Sequence, residues 1–288
     1  MILGIDVGNY SLKTSSNISV KSLVSTEENI LGSKLILEYD NQKFIIGEGN
    51  FETELNKSTK ENFLPLLYTG IALSSEDTFN QIVVGLPINQ YKTNRGQLEQ
   101  LVQENKMKTL KVNGKLREIV RSDFKVYPEG IGAYYSFNSK EDVIIIDIGG
   151  RTTDIAYISD KKHQLSDTVA VGTLNIYKEV ATKLNSEYSL DLDVQKVDRI
   201  TERGTLKVDN KDVDLRFITG ILKNNFFKIK EALDFNFPAR TEKIILVGGG
   251  AKLFVKAFKK RYENCEIAEE TVFANALGFR KVGEKLWL

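Results

Sequence analysis

Cysteine and histidine are almost missing from this chain: Cys265 and His163 are the single examples of each among 288 residues. That excludes a disulfide framework and any zinc site built from several thiolate or imidazole ligands, and it suits a reducing cytoplasm. His163, behind Lys161 and Lys162 in a polar stretch, reads as a loop residue rather than a catalyst, and Cys265 as structural. A surplus of either charge is also missing. Forty Lys+Arg stand against 39 Asp+Glu, a net charge of +1, without the basic excess that phosphate-backbone binding needs, so direct nucleic-acid binding is not expected. No apolar run is as long as a membrane span, and Met1 leads straight into ILGIDVG without a basic, cleavable leader pattern. The expectation is a protein neither exported nor membrane-spanning. The terminal EKLWL, Glu284 to Leu288, is too short for an interfacial anchor and reads as a packed chain end. Only four prolines occur, Pro65, Pro87, Pro128 and Pro238, and low-complexity stretches are absent. Domains, if there are two, interlock rather than hang on a tether.

What is present is enough apolar material, 41% of the residues, for one large or two medium globular cores. Buried strands are expected at Ile2 to Val7, Ile82 to Gly85, Val143 to Ile148 and Ile244 to Val247. Helices are expected at Gly96 to Lys106, Gly130 to Ser136, Asn175 to Ser186 and Ile218 to Leu233. This alternation implies an α/β fold. The charged run Asp191 to Glu202 reads as the solvated face of a helix.

The most informative feature is an internal echo. Ile5-Asp6-Val7-Gly8-Asn9-Tyr10-Ser11 matches Ile146-Asp147-Ile148-Gly149-Gly150-Arg151-Thr152, both reading I-D-x-G-x-x-(S/T). Each copy leaves a strand, turns and regains β-type residues, so each is expected to be a hairpin whose glycine permits the turn and bares backbone N–H groups. N–H and hydroxyl donors at a turn offer themselves to anionic oxygens. An aspartate at the end of each buried strand repels phosphate unless a cation or water lies between, and magnesium is the obvious mediator. Asp154, beyond the second turn, is expected to brace the hairpin rather than touch the ion. A third glycine cluster, Gly248, Gly249 and Gly250, leads from a strand into a helix-like segment.

The pair GIDVGNYSLKTS and IIIDIGGRTTDIAYI, followed by IILVGGGAKLF, resembles the two phosphate loops and the adenosine motif of the ATPase superfamily of actin, heat-shock 70 proteins and sugar kinases. YPEGIGAYYS and FANALGFRKVG resemble its two connecting helices, where small residues let the helices cross at a hinge. GLPINQYK, KFIIGEGN and FANALGF are similar to segments of plasmid-segregation actins of the ParM type. The resemblance implies an actin/heat-shock-70-like fold: two similar α/β domains around a nucleotide cleft, each with a smaller outer subdomain. Domain I is expected over 1–139, returning at 270–288, with its outer part about 30–60; domain II over 140–269, with its outer part about 187–239.

The resemblance further implies ATP, or GTP, bound with Mg2+. Asp6 and Asp147 hold the metal through its waters; Gly8, Asn9, Ser11 and Lys13 meet the phosphates from one side. Gly149, Gly150, Thr152 and Gly172 meet them from the other, and Gly248, Gly249 and Gly250 back the nucleoside. Glu129 and Asp147 are the implied catalytic pair that orients or deprotonates the attacking water. The implied activity is ATP hydrolysis coupled to a head-to-tail filament of the chain itself, with a DNA-bound adaptor protein linking the filament to plasmid DNA. Two other readings stay open: a small-molecule or sugar kinase, for which no acceptor motif is seen, and a cell-shape or division actin. A chaperone would need a further peptide-binding domain, and an inactive scaffold would have lost the acids.

Overall fold

The computed structural model describes residues 1–27, 35–54, 56–137, 139 and 141–288. Positions 30–34 and 55 of the expected outer segment, and position 140 at the expected domain boundary, lie outside the described residues. The first half of the chain runs β1 (Ile2–Val7), β2 (Ser11–Thr14), β3 (Ser19–Lys21), β4 (Leu23–Ser25), β5 (Leu35–Tyr39), β6 (Gln42–Phe51), α1 (Phe63–Ser74), β7 (Phe79–Leu86), α2 (Ile88–Glu104), β8 (Met107–Val112), β9 (Lys115–Pro128) and α3 (Ile131–Tyr134). The second half runs β10 (Val143–Ile148), β11 (Thr153–Ser159), β12 (Lys162–Val169), α4 (Thr173–Tyr188), α5 (Val194–Arg203), β13 (Lys207–Val208), β14 (Lys211–Asp212), α6 (Phe217–Asn236), β15 (Lys243–Val247), α7 (Ala251–Arg261), β16 (Cys265–Ile267) and α8 (Ala274–Trp287).

These elements build two sheets that repeat one plan. The first begins β3-β2-β1-β7-β9 and the second is β12-β11-β10-β15-β16. In each, an antiparallel three-stranded meander is joined by two parallel strands. The correspondence extends to the helices: α2 and α7 follow the fourth strand of each plan, and α3 and α8 follow the fifth. The sequence echo is therefore the visible remnant of a duplicated topology. The first sheet is extended on one side by β8, β5, β6 and β4, and the second half carries α5 and the small β13–β14 hairpin between α4 and α6.

Burial explains the strands. Along β10, Ile144, Ile146 and Ile148 pack with Val180, Leu184, Ile229 and Phe254, while Val143 and Ile145 pack with Ala133, Tyr134 and Ala274 on the opposite face. A central strand with both faces covered needs such a continuous apolar run. The helices differ from the sequence expectation where propensity loses to burial. α1, FLPLLYTGIALS, was not foreseen: it is apolar all round, without helical periodicity, and contains Pro65 and Gly70. Pro65 lies in the first turn, where its missing N–H is harmless, and Gly70 leaves room for Leu12 and Ile5. α2 starts at Ile88, eight positions before Gly96 and directly after Pro87, whose carbonyl accepts from the Gln90 and Tyr91 N–H groups. α3 is only four residues long.

The two halves meet through α3 and α8. A Cβ at Gly278 of α8 would lie 1.9 Å from the carbonyl oxygen of Gly132, and one at Gly132 would lie 2.1 Å from the Phe279 ring. The helices cross backbone to backbone, as the small residues of the two connecting segments suggest.

Candidate functional site

β1 and β10 end at a common cleft. The turn at Gly8 to Tyr10 leaves β1 and the turn at Gly149 to Thr152 leaves β10, and the two tips face each other. They approach until a Cβ on Gly150 would lie 3.0 Å from the backbone nitrogen of Tyr10. The third wall is Gly248 and Gly249, with Thr271, Val272 and Asn275 beside them. Gly248 has φ +84°, and a Cβ there would be 2.3 Å from Asp147 Oδ1. Both the left-handed conformation and the close approach require glycine.

Strand register decides the electrostatics. β1 and β2 pair Asp6 with Lys13, whose Nζ donates to Asp6 Oδ2 at 3.3 Å. β10 and β11 instead pair Asp147 with Asp154, two acids directly opposite, an arrangement that costs energy when both are ionised. Burial, reinforced by the charges of Glu129 and Asp6, pushes the Asp147 carboxyl up to about 7. Burial, followed by the charge of Glu129, raises Asp154 well above the usual carboxylate range. Thr168 Oγ1 donates to Asp154 at 2.6 Å, so Asp154 both lines the cleft and braces the third strand of the meander. Asp147 Oδ2 accepts from Asn275 Nδ2 at 2.5 Å, and Asn275 Oδ1 accepts from the Gly130 N–H at 3.0 Å. Asn275 thereby ties the start of α8 to the start of α3 and to the acid of β10.

Asp6 and Glu129 answer to the lysines. Burial acts to raise Asp6, but the ammonium groups of Lys13 and Lys57 outweigh it and hold the carboxyl below its ordinary value. Glu129 follows the last residue of β9, its N–H donating to Leu86 O at 2.8 Å. Burial raises its carboxyl, with Lys57 opposing. Lys57 has a side chain only 1% exposed. Its Nζ donates to Glu129 Oε1 and to Gly85 O at 3.2 Å, and stands 3.7 Å from Asp6 Oδ1. Lys60 Nζ donates to Asn9 Oδ1, and burial, with the charges of Lys57 and Arg151, pushes it down to about 8.

The cleft thus gathers Asp6, Gly8, Asn9, Lys13, Glu129, Asp147, Gly149, Gly150, Thr152, Gly248 and Gly249 of the residues expected from sequence. Ser11, Gly172 and Gly250 stand behind its lining. Ser11 is buried in β2. Gly172 packs against the backbone of Gly150 and Arg151, and Gly250 against Ile148. Sequence reasoning missed Lys57, Lys60, Thr271, Val272 and Asn275, and it credited Asp154 only with bracing. Asn275 lies inside the quoted FANALGF, as its one polar side chain. Nothing local marks NKSTK, Asn56 to Lys60, as functional.

The donor set fits a hydrated divalent cation beside an anion. Asp6 Oδ1 is buried without a hydrogen-bond donor, and ionised Asp6 faces the same space as Asp147. Among the described residues no group of three or more acid, histidine or cysteine side chains forms a metal cage. An ion there would draw most of its ligands from water and phosphate, as magnesium does.

Comparison with known proteins agrees with this geometry. Residues 4–132 match the N-terminal domain of actin-like proteins, and residues 145–260 match the C-terminal domain of the archaeal MreB-like actin homologues. No curated protein matches the sequence. The fold is shared end to end with the archaeal actin homologue Ta0583, at a TM-score of 0.85 and 21% identity over 99% of each chain. It is shared equally with the ParM of a 15-stranded filament from Clostridium botulinum, at a TM-score of 0.83 and 20% identity over 99% of each chain. The ADP complex of Ta0583 aligns at a TM-score of 0.80 and 22% identity, again over 99% of both chains. With both halves matched and the two-domain fold common to the whole length, the chain belongs to the actin-like proteins.

Proposed function

We propose that the cleft binds ATP with Mg2+ and hydrolyses it, and that the chain assembles head to tail into filaments governed by the nucleotide. The observation that carries this reading is the pairing of two glycine hairpins, each with an acid at its base, across one cleft backed by Gly248 and Gly249. The ADP complex of Ta0583 and the ParM filament, both on this fold, support it. The proposed biological role is plasmid segregation through a DNA-bound adaptor, and the proposed location is cytoplasmic. The domain limits we propose are 1–139 with 270–288, and 140–269, with outer parts about 30–60 and 187–239.

The backbone N–H groups of both tips, with Thr152, hold phosphate oxygens, and Lys13 adds charge beside them. Asp6 and Asp147 would hold a magnesium ion, largely through its waters, and the ion would supply positive charge against the phosphates. Glu129 orients the attacking water and takes its proton; a carboxylate whose burial raises its affinity for protons is the better base. Asn275 fixes Asp147 relative to α3 and α8, so its position reports the angle between the halves. Ligand phosphates touch both hairpins, and loss of the terminal one weakens the tether between domains.

A second reading, a cell-shape or division actin, draws on the archaeal MreB-like match of the second half. It shares the ATPase and the filament and differs in needing no plasmid-bound adaptor. Phosphate release from wild type and Glu129→Gln, in Mg2+ and ATP, tests the common part. The expected result is turnover by wild type and a loss of at least about a hundredfold in the variant. Equal turnover would remove Glu129 from the mechanism.

A further inference from the structure

Two cations at the cleft belong to neither hairpin: Lys57 in its lining and Lys60 against Asn9 at its rim. Asn56 to Lys60 forms a fixed turn directly ahead of α1. Ser58 N and Oγ both donate to Asn56 Oδ1, at 3.0 and 2.7 Å, and Ser58 Oγ lies 2.8 Å from Gln97 Oε1 of α2. From this turn Lys57 reaches Glu129 and Asp6, and Lys60 reaches Asn9 at the tip of the first hairpin. Both lysines are buried.

Their environments differ in a telling way. Lys57 is held by carboxylates. Lys60 has an amide oxygen as its hydrogen-bond partner, and burial with the like charges of Lys57 and Arg151 outweighs the attraction of Glu129 and Glu52. A buried ammonium so placed is stabilised by an added anion. The reading of Glu129 as the acid that holds the attacking water supplies the direction. An ammonium bonded to that acid stands beside the phosphoryl group the water attacks.

We propose that Lys57 and Lys60 form a third phosphate-binding element, which recognises the terminal phosphate of a nucleoside triphosphate. Lys57 bridges Glu129 and the terminal phosphoryl oxygens, and Lys60 supplies a second ammonium from the side of Asn9. Because the turn leads into α1 and touches α2 at Gln97, presence or loss of that phosphate is registered by the first domain as well as by the hairpin tips.

This rests on the proposed ATP site, and its test separates the two. Equilibrium binding of AMPPNP and of ADP, each with Mg2+, is measured for wild type, Lys57→Met, Lys60→Met and Lys57→Arg. Each Met variant is expected to bind AMPPNP at least about tenfold more weakly and ADP within about twofold of wild type, with Lys57→Arg recovering part of the loss. Unchanged preference for AMPPNP, or equal weakening of both nucleotides, would overturn the lysine element and leave the ATP site standing. Failure of wild type to bind either nucleotide would overturn both. Should Lys57→Met not fold because Glu129 is left unpaired, Lys57→Met with Glu129→Gln is compared with Glu129→Gln alone, under the same criterion.

Discussion

At the scale of single residues, the cleft is a balance of buried charges that strand register has set unequally. One hairpin opposes acid to base and the other acid to acid; the ammonium groups of Lys13 and Lys57 keep Asp6 ionised against its burial, while burial and the charge of Glu129 make Asp147 and Asp154 hold protons more tightly. Lys60 offers the clearest pH test. Its folded value of about 8 lies below its ordinary 10.5, so below pH 8 the folded state carries the cost of a charged, crowded ammonium. Between about 8 and 10.5 the unfolded chain binds the extra proton, stability rises with pH, and above that window the cost is gone. Lys60→Met is therefore expected to be the more stable protein at pH 7, by up to about 3 kcal/mol, with the gap closing toward pH 10. Urea unfolding at several pH values in the absence of nucleotide reads this directly. A gap independent of pH would mean that the Lys60 charge is not strained. Of this residue-level balance, Asp6, Asp147 and Glu129 were legible because each sits in a recognisable pattern. Lys57 and Lys60 were not: they reach the cleft from a turn whose place is set by the packing of α1 and α2, which no local spacing encodes.

At the scale of elements, the hairpins and the crossing helices do the positioning. β1 and β10 were legible at their full extent, since a buried run bounded by Asp-x-Gly leaves little choice of ends. α1 was illegible because a helix buried all round has no polar face to give it a period, and α2 was shortened because its first turns carry few apolar residues. The crossing of α3 and α8 depends on absent side chains. Gly278→Val, whose Cβ would meet the Gly132 carbonyl at 1.9 Å, is expected to destabilise by on the order of 3 kcal/mol. Gly220→Ala, on an exposed helical position with nothing within 4 Å, is expected to stabilise by about 0.5–1 kcal/mol. Thermal unfolding of the two variants compares them. Equal effects would mean that the helices do not need their close contact.

At the scale of the whole molecule, two copies of one topology face each other, joined by the apolar packing around α3 and α8 and by polar links near the cleft. The Tyr10 hydroxyl donates to Asp198 of α5, and Lys21 Nζ reaches the same carboxylate at 3.5 Å. Arg151 donates to Glu52 O at 2.7 Å, and Asn275 joins α8 to Asp147 and α3. These polar links, unlike an apolar core, can be exchanged for contacts to an anionic ligand without leaving a cavity, which is what the proposed nucleotide-governed hinge needs. The duplication was legible from I-D-x-G-x-x-(S/T); the links across the cleft were not, because their partners are far apart in sequence. The central claim is that the nucleotide governs assembly. Sedimentation of the wild-type protein in Mg2+ with AMPPNP, with ADP and without nucleotide measures it most directly. The account predicts that AMPPNP brings most of the protein into the pellet as filaments while ADP and the nucleotide-free sample leave it in solution. Identical sedimentation in all three conditions, with nucleotide binding demonstrated, would contradict it.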